Sequence, residues 1–154
     1  MPSEKEGHVE SSQVRRVLIV ANRTAATPTL LDRIKERAHE RPTTFSLLIP
    51  DAASAEHTDW TLELALPLLE RAARGPVEGL AGEGEEPFEA IRRAVEQGSF
   101  DEIVISTLPR RVSQWLRRDL PRRVQDLGLP VEVVTPGRDD KQAVGGIAGN
   151  ISIP

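Results

Sequence analysis

Apolar and polar positions along this chain fall into blocks of two kinds. Residues 15–21 (RRVLIVA) form a short apolar run rich in β-branched side chains. It is too continuous for a strand with one wet face and predicts a strand buried on both sides. The runs 44–49 (TFSLLI), 102–107 (EIVIST) and 131–135 (VEVVT) also predict strands, while 77–81 (VEGLA) is a weaker, glycine-interrupted strand suited to a sheet edge.

Between these runs the spacing changes to three and four. Thr27 before Pro28 predicts a helix start, with Leu30, Leu31, Ile34 and Ala38 on one face and an end before Pro42. Pro50 predicts the stop of the second strand and a polar loop over 51–58. Asp59 then caps a helix with apolar positions Trp60, Leu64, Leu68, Leu69 and Ala72, kinked by Pro67 and ended by Gly75 and Pro76. Pro87 opens a third helix with Phe88, Ile91, Ala94 and Val95 inward and Gly98 at its last turn. Residues 110–127 predict two helical pieces joined at a capping Asp119, one with Val112, Trp115 and Leu116 inward, the other with Leu120, Val124 and Leu127. Trp60 and Trp115, each spaced with leucines, are expected in the core.

Strands alternating with helices of this length imply βαβ units, hence a three-layer α/β fold with a parallel sheet between helices. The folded part spans 14–135. Residues 1–13 read as a flexible tail, and 136–154 as a glycine-rich tail that is either flexible or covers a sheet edge. At 154 residues and 38% hydrophobic content the chain has one domain's worth of core. Ligands of such sheets collect beyond the carboxyl ends of the strands, which directs attention to the loops after Ala21, Ile49 and Thr107.

Composition narrows the chemistry. The absence of cysteine excludes disulfides, zinc ribbons, iron–sulfur clusters and thiol nucleophiles, and the scattered His8, His39 and His57 form no ligand set. Aromatics at 3% without tyrosine, and a net charge of -4, argue against nucleic-acid binding. No run approaches a membrane span and residues 1–13 lack the apolar centre of a secretory signal, so a cytoplasmic protein without membrane contact is expected. No Walker sequence, dinucleotide glycine pattern or nucleophile elbow is present, and His57 reads as an ordinary loop histidine beside Glu56 and Asp59. The expectation is a non-catalytic chain.

Two places remain. The loop Asn22-Arg23-Thr24 leaves the first strand and enters a helix whose amides favour an anion, although Asn22 and Thr24 serve equally to close a turn. Arg110, Arg111, Arg117, Arg118, Arg122 and Arg123 set six cations against one acid, Asp119, within 14 residues. They are either solvated faces of two short helices or an anion site, with Arg110 and Arg118 facing the crevice. Residues 131–135, a valine-rich strand without proline or lysine, suit pairing with a second copy and predict a homodimer, unless residues 143–153 cover that edge.

The segments VLIVANRT (17–24), LLIP (47–50), FDEIVIST (100–107), VSQWLRRDLPRRV (112–124) and LPVEVV (129–134), in this order, resemble the universal stress protein superfamily of adenine-nucleotide-binding α/β domains. The resemblance covers 14–135. It implies a Rossmann-like α/β/α sandwich of five parallel strands in the order 3-2-1-4-5, with ATP or another adenine nucleotide as candidate ligand and no certain cofactor.

The family's first strand ends in aspartate, glycine and serine; Asn22, Arg23 and Thr24 occupy those positions here. Ile49 falls where the backbone usually meets adenine. Nucleotide-binding members carry a phosphate loop with two glycines and, further on, a glycine followed by serine or threonine. The matching stretch, 106–119, contains no glycine: Pro109 and Val112 lie near the first pair, and Arg118 and Asp119 replace the last. A carboxylate at a helix start would occupy the amides that phosphate needs. Arg23, Arg110 and Arg118 would supply cations in their place. Asn22, Arg23, Thr24, Ile49, Ser106, Thr107, Arg110, Arg118 and Asp119 are thus the candidate nucleotide or anion contacts. In the other reading, a module without nucleotide uses the arginine-rich helix, chiefly Arg111, Arg122 and Arg123, to dock an acidic protein.

Overall fold

A computed structural model of the chain describes residues 14–22, 24–52, 55–83, 86–108, 114–117 and 119–136. Strands β1 (Arg15–Val20), β2 (Thr43–Ala52), β3 (Val77–Glu83), β4 (Glu102–Ser106) and β5 (Val131–Val134) form a parallel sheet in the order β3-β2-β1-β4-β5. This is the expected arrangement. Helices α1 (Pro28–Glu40), α2 (Ala55–Ala73), α3 (Pro87–Gln97), α4 (Gln114–Arg117) and α5 (Leu120–Gln125) complete the described elements. The predicted tails, 1–13 and nearly all of 136–154, lie outside the described residues.

The central place of β1 follows from its apolar run. Val17 stands opposite Phe45 of β2 and Glu102 of β4, and Val17 through Val20 have no exposed surface. Because successive strand residues point to opposite faces, the run feeds two cores. Val17 and Ile19 pack with Leu47, Ile49 and Val104 against Leu30 and Ile34 of α1 and Ala65 and Leu69 of α2. On the other face Leu18 and Val20 join Leu48, Ile103 and Ile105 against Ala90 and Ile91 of α3 and Leu120 and Val124 of α5, with Trp115 partly buried beside them.

The helix starts obey their local signals. Thr27 is extended at the head of α1 and its Oγ1 accepts the Leu30 amide at 3.5 Å, while Pro28 occupies the first turn. Pro87 opens α3 in the same position, and the Gly98 amide donates to the Ala94 carbonyl at its end.

Four expectations are corrected. First, β2 does not stop at Pro50 but runs to Ala52. Leu48 turns its carbonyl to β1, accepting the Ala21 amide at 3.2 Å, so Pro50, two residues on, directs its missing donor to the side where β1 has already ended. Ile49 faces β3 instead, and pairing with β3 continues past the proline to Ala52 opposite Glu83.

Second, α2 begins at Ala55, so His57 and Asp59 lie within its first turns rather than in a loop and at a cap; it continues past Pro67 to Ala73. The Trp60 side chain is outside the described residues. Third, α2 does not turn Leu64 and Leu68 to the core. They are 52% and 37% exposed, and its inward face is Leu62, Ala65, Leu66 and Leu69. Fourth, Asp119 heads α5 without capping it. Its backbone is left-handed (φ 58°, ψ 35°) rather than extended, and its carboxylate accepts no amide hydrogen bond from the helix.

The amino ends of β1, β4 and β5 are joined to α1 by charge. Glu132 of β5 accepts from Arg33 Nε at 2.8 Å and Arg33 NH2 at 2.9 Å, and from Arg37 NH2 at 2.6 Å. Arg37 also pairs with Glu102 of β4, which pairs in turn with Arg15 of β1, and Arg33 pairs with Glu36. The side chains of Arg37 and Glu102 are 14% and 15% exposed, so this network is largely withdrawn from water. Partial burial alone would raise the Glu132 carboxyl, but the hydrogen bonds and charges of Arg33 and Arg37 hold it below the usual carboxylate value. The Glu132 hydrogen bonds raise Arg33 against its own desolvation.

Candidate functional site

β1 is the strand at which sheet order reverses: it is followed by β2 on one side, while β4 arrives on the other. The loop leaving β1 and the end of β4 therefore meet at the carboxyl edge, the usual ligand position in this class of sheet. Asn22, Thr24, Ser106 and Thr107 are brought together there.

Their polar groups are tied to one another. Thr24 Oγ1 lies 2.6 Å from Ser106 Oγ, and Ser106 Oγ donates to the Thr24 carbonyl at 3.3 Å. With one proton on each hydroxyl, both contacts are satisfied when Thr24 donates to Ser106 and Ser106 to the carbonyl. The same carbonyl accepts the Thr27 amide at 3.3 Å and the Thr27 hydroxyl at 3.2 Å. Asn22 closes the preceding turn by accepting the Ala25 amide at 3.3 Å. Across the sheet, the Thr107 amide donates to the Val134 carbonyl at 2.9 Å. Thr24, Ser106 and Thr107 are all buried, at 3%, 1% and 6% exposure.

Ile49 sits on the neighbouring strand as a fully buried core side chain, with its backbone turned to β3 opposite Ala81. Asp119 is on the exposed rim, its carboxylate 4.0 Å from Arg122 NH1. Arg23, Arg110 and Arg118 lie outside the described residues, as do Arg111, Pro109 and Val112. Of the arginine cluster, Arg122 is 80% exposed. Arg123 is committed elsewhere, stacked 4.5 Å above the Phe88 ring and 3.6 Å from Glu86.

The described part of the crevice offers hydroxyls and backbone, not an activated group. Ser106 is hydrogen-bonded to a hydroxyl and a carbonyl, and among the described residues no imidazole, amine or carboxylate reaches it to take its proton. Nor do three His, Asp or Glu side chains gather as a metal set among the described residues. Among these residues no helix is long and apolar enough to cross a membrane.

The solved structures that superpose on most of the chain include three of universal stress proteins. A universal stress protein from Archaeoglobus fulgidus is 16% identical with a TM-score of 0.53, covering 80% of this chain and 96% of that one. A universal stress protein in complex with cAMP is 14% identical with a TM-score of 0.54, covering 81% and 100%. The Archaeoglobus fulgidus protein in complex with dAMP is 19% identical with a TM-score of 0.52, covering 79% and 96%. The fold is that of the universal stress proteins. No family model matches the sequence, and neither does any curated protein. With so few identical residues, the universal stress protein likeness rests on strand order and element spacing.

Sequence reasoning passed over the carboxylates of Glu102 and Glu132. The available signal was a glutamate opening or interrupting a valine-rich strand, together with Arg33 and Arg37 one turn apart on the helix that crosses it.

Proposed function

We propose that the chain is a non-catalytic binding or regulatory domain of universal stress protein type, acting in the cytoplasm, whose crevice at the carboxyl ends of β1 and β4 takes an adenine nucleotide or a related anion. The observation that carries this reading is the convergence of the Asn22–Thr24 turn and the Ser106–Thr107 strand end at the point where strand order reverses. The cAMP and dAMP complexes of proteins with this fold support the ligand class. Arg23, Arg110 and Arg118 supply side-chain cations in place of the backbone amides that the absent glycines would have brought close to phosphate. Asp119 sets the limit on negative charge at that rim, which favours a monophosphate over a triphosphate. The outer edge of β5, which has no strand partner among the described residues, pairs with a second copy of the chain.

Thermal unfolding of the dialysed protein with ATP, AMP, cAMP and dAMP at fixed salt tests this. A ligand at about 100 times its Kd stabilises by roughly 2.7 kcal/mol, a shift of about 5–10 °C for a domain of this size. Arg110→Ala and Arg118→Ala should remove the shift. If no nucleotide moves the midpoint at several millimolar, the reading is wrong.

A second reading rests on Arg122, which is 80% exposed and held only loosely by Asp119. Here Arg111 and Arg122 dock an acidic protein. Arg123 contributes less, because Phe88 and Glu86 already hold it. Loss of partner capture in Arg111→Ala/Arg122→Ala, with no nucleotide response in the parent protein, would select this reading.

A further inference from the structure

Among the described residues, most cationic side chains are spoken for. Arg15, Arg33, Arg37, Arg92 and Arg123 pair with carboxylates, and Arg16 lies 5.5 Å above the Phe100 ring. Among the described residues, three cationic side chains with described placement have no ion pair, hydrogen bond or ring contact: Lys35, Arg71 and Arg74. All three line one cleft, between the C-terminal halves of α1 and α2, together with Glu36, His39 and Ala72.

The coincidence has electrostatic content. The one acid in the wall, Glu36, is already paired with Arg33. Each helix end contributes about half a negative charge, so the two together offset about one cation of three. The remainder is an uncompensated positive site on a protein of net charge -4. Surface cations are easily placed near acids in a chain with 24 carboxylates, so their concentration in one concavity is not what scattered charge would give. Arg74 is moreover held in the left-handed region (φ 62°), immediately before Gly75, where a glycine would sit without strain.

Size selects the occupant. The cleft offers about 370 Å³, within the range of small-molecule sites and too small to seat a folded partner. Two guanidiniums and an ammonium match the oxygens of a ligand carrying more than one phosphate. We infer that this cleft binds a small oligophosphate or multiply phosphorylated metabolite. It lies at the amino end of the sheet, since Arg74 precedes β3 and His39 precedes β2. The length of β1 separates it from the Thr24–Ser106 crevice by roughly 15–20 Å. It is thus a second site, independent of the proposed function.

Titration calorimetry of the full chain with sodium tripolyphosphate, at neutral pH and fixed ionic strength, tests it. Saturable binding is expected, weakened about tenfold or more in Lys35→Gln/Arg71→Gln, with the ligand-free unfolding midpoint unchanged. Arg74→Gly should weaken binding as well without lowering that midpoint. Absence of saturable heat at several millimolar, or equal affinity in the double variant, would overturn the inference. Tighter binding of a polyglutamate peptide than of tripolyphosphate would also overturn it, assigning the cleft to an acidic protein segment. A nucleotide response that survives in Lys35→Gln/Arg71→Gln belongs to the other end of the sheet, so the two proposals fail separately.

Discussion

Thr24 and Ser106 stand 82 residues apart in sequence, yet their hydroxyl oxygens lie 2.6 Å apart and both side chains are buried. The pair clamps the loop after β1 to the end of β4 and so defines the floor of the crevice. Removing the Ser106 hydroxyl takes away the acceptor of the buried Thr24 hydroxyl. Ser106→Ala is expected to cost about 1–3 kcal/mol. Thr24→Val/Ser106→Ala removes both groups, and its loss should be smaller than the sum of the single losses. Denaturant unfolding of the four proteins measures that coupling; strict additivity would show that the hydroxyls do not interact.

Glu132 makes the acid limb of stability steeper. Its carboxyl is held below its ordinary value of 4.5 in the folded chain, so the unfolded chain binds the proton more readily. The contribution is therefore complete above about pH 4.5 and is lost as pH falls through the lowered native value. Glu132→Gln should flatten the decline of unfolding free energy in that window and lower stability at neutral pH. The loss should fall between the ~1 kcal/mol of an exposed pair and the ~3–5 kcal/mol of a buried one. An unchanged acid profile would show that Glu132 titrates alike in both states.

Gly82 is where α3 presses on the sheet. A Cβ there would stand 2.6 Å from Ala90 Cβ and 3.3 Å from the Pro50 Cα. Gly82→Ala should therefore destabilise by about 1–3 kcal/mol through overpacking. Ala90→Gly in the same chain removes the atom in the way and should return part of the loss, apart from the ~1 kcal/mol that glycine costs in a helix. A Gly82→Ala protein with the parent unfolding midpoint would contradict the close approach.

Asp119 combines a left-handed backbone with a carboxylate that is 60% exposed and caps nothing. Asp119→Gly removes the backbone strain while adding freedom to the unfolded chain, so its net effect should lie within about 1 kcal/mol of zero. Asp119→Val, β-branched at the same φ, should cost about 1–2 kcal/mol. Because Asp119→Gly also removes negative charge from the crevice rim, nucleotide affinity should rise in it. Equal stability of the glycine and valine variants would contradict the left-handed geometry.

What could be read in advance depended on whether a signal was local. The β1 run, the Thr27–Pro28 start and the Pro87–Gly98 frame are set within a few residues by burial, capping and proline geometry, and each element formed where expected. Pro50 misled because proline blocks hydrogen bonding on one side of a strand only, and which neighbour lies on that side is decided by a different segment. The first turn of α2 misled because residues 56–58 are polar without being helix breakers. Leu64 and Leu68 show that an apolar helix residue does not reveal which face the sheet will cover. At the crevice, the residue types of Thr24 and Ser106 were visible, but their mutual bond follows from β1 and β4 lying side by side. Arg33 and Arg37, one turn apart on α1, signalled an ion-pairing face, but that their partners would be Glu102 and Glu132 follows only from β4 and β5 arriving beside that helix.

That last arrangement bears on how the molecule assembles. Arg15, Arg33 and Arg37 all lie in the first 40 residues, whereas Glu102 and Glu132, which neutralise them, come 65 to 99 positions later for the helix arginines. A fragment ending before β4 would carry Arg15 and Arg37 without the carboxylates that pair with them and would leave Arg33 only Glu36. No half of the chain is electrically complete, and the domain is accordingly expected to fold and unfold as one cooperative unit rather than by stable subdomains.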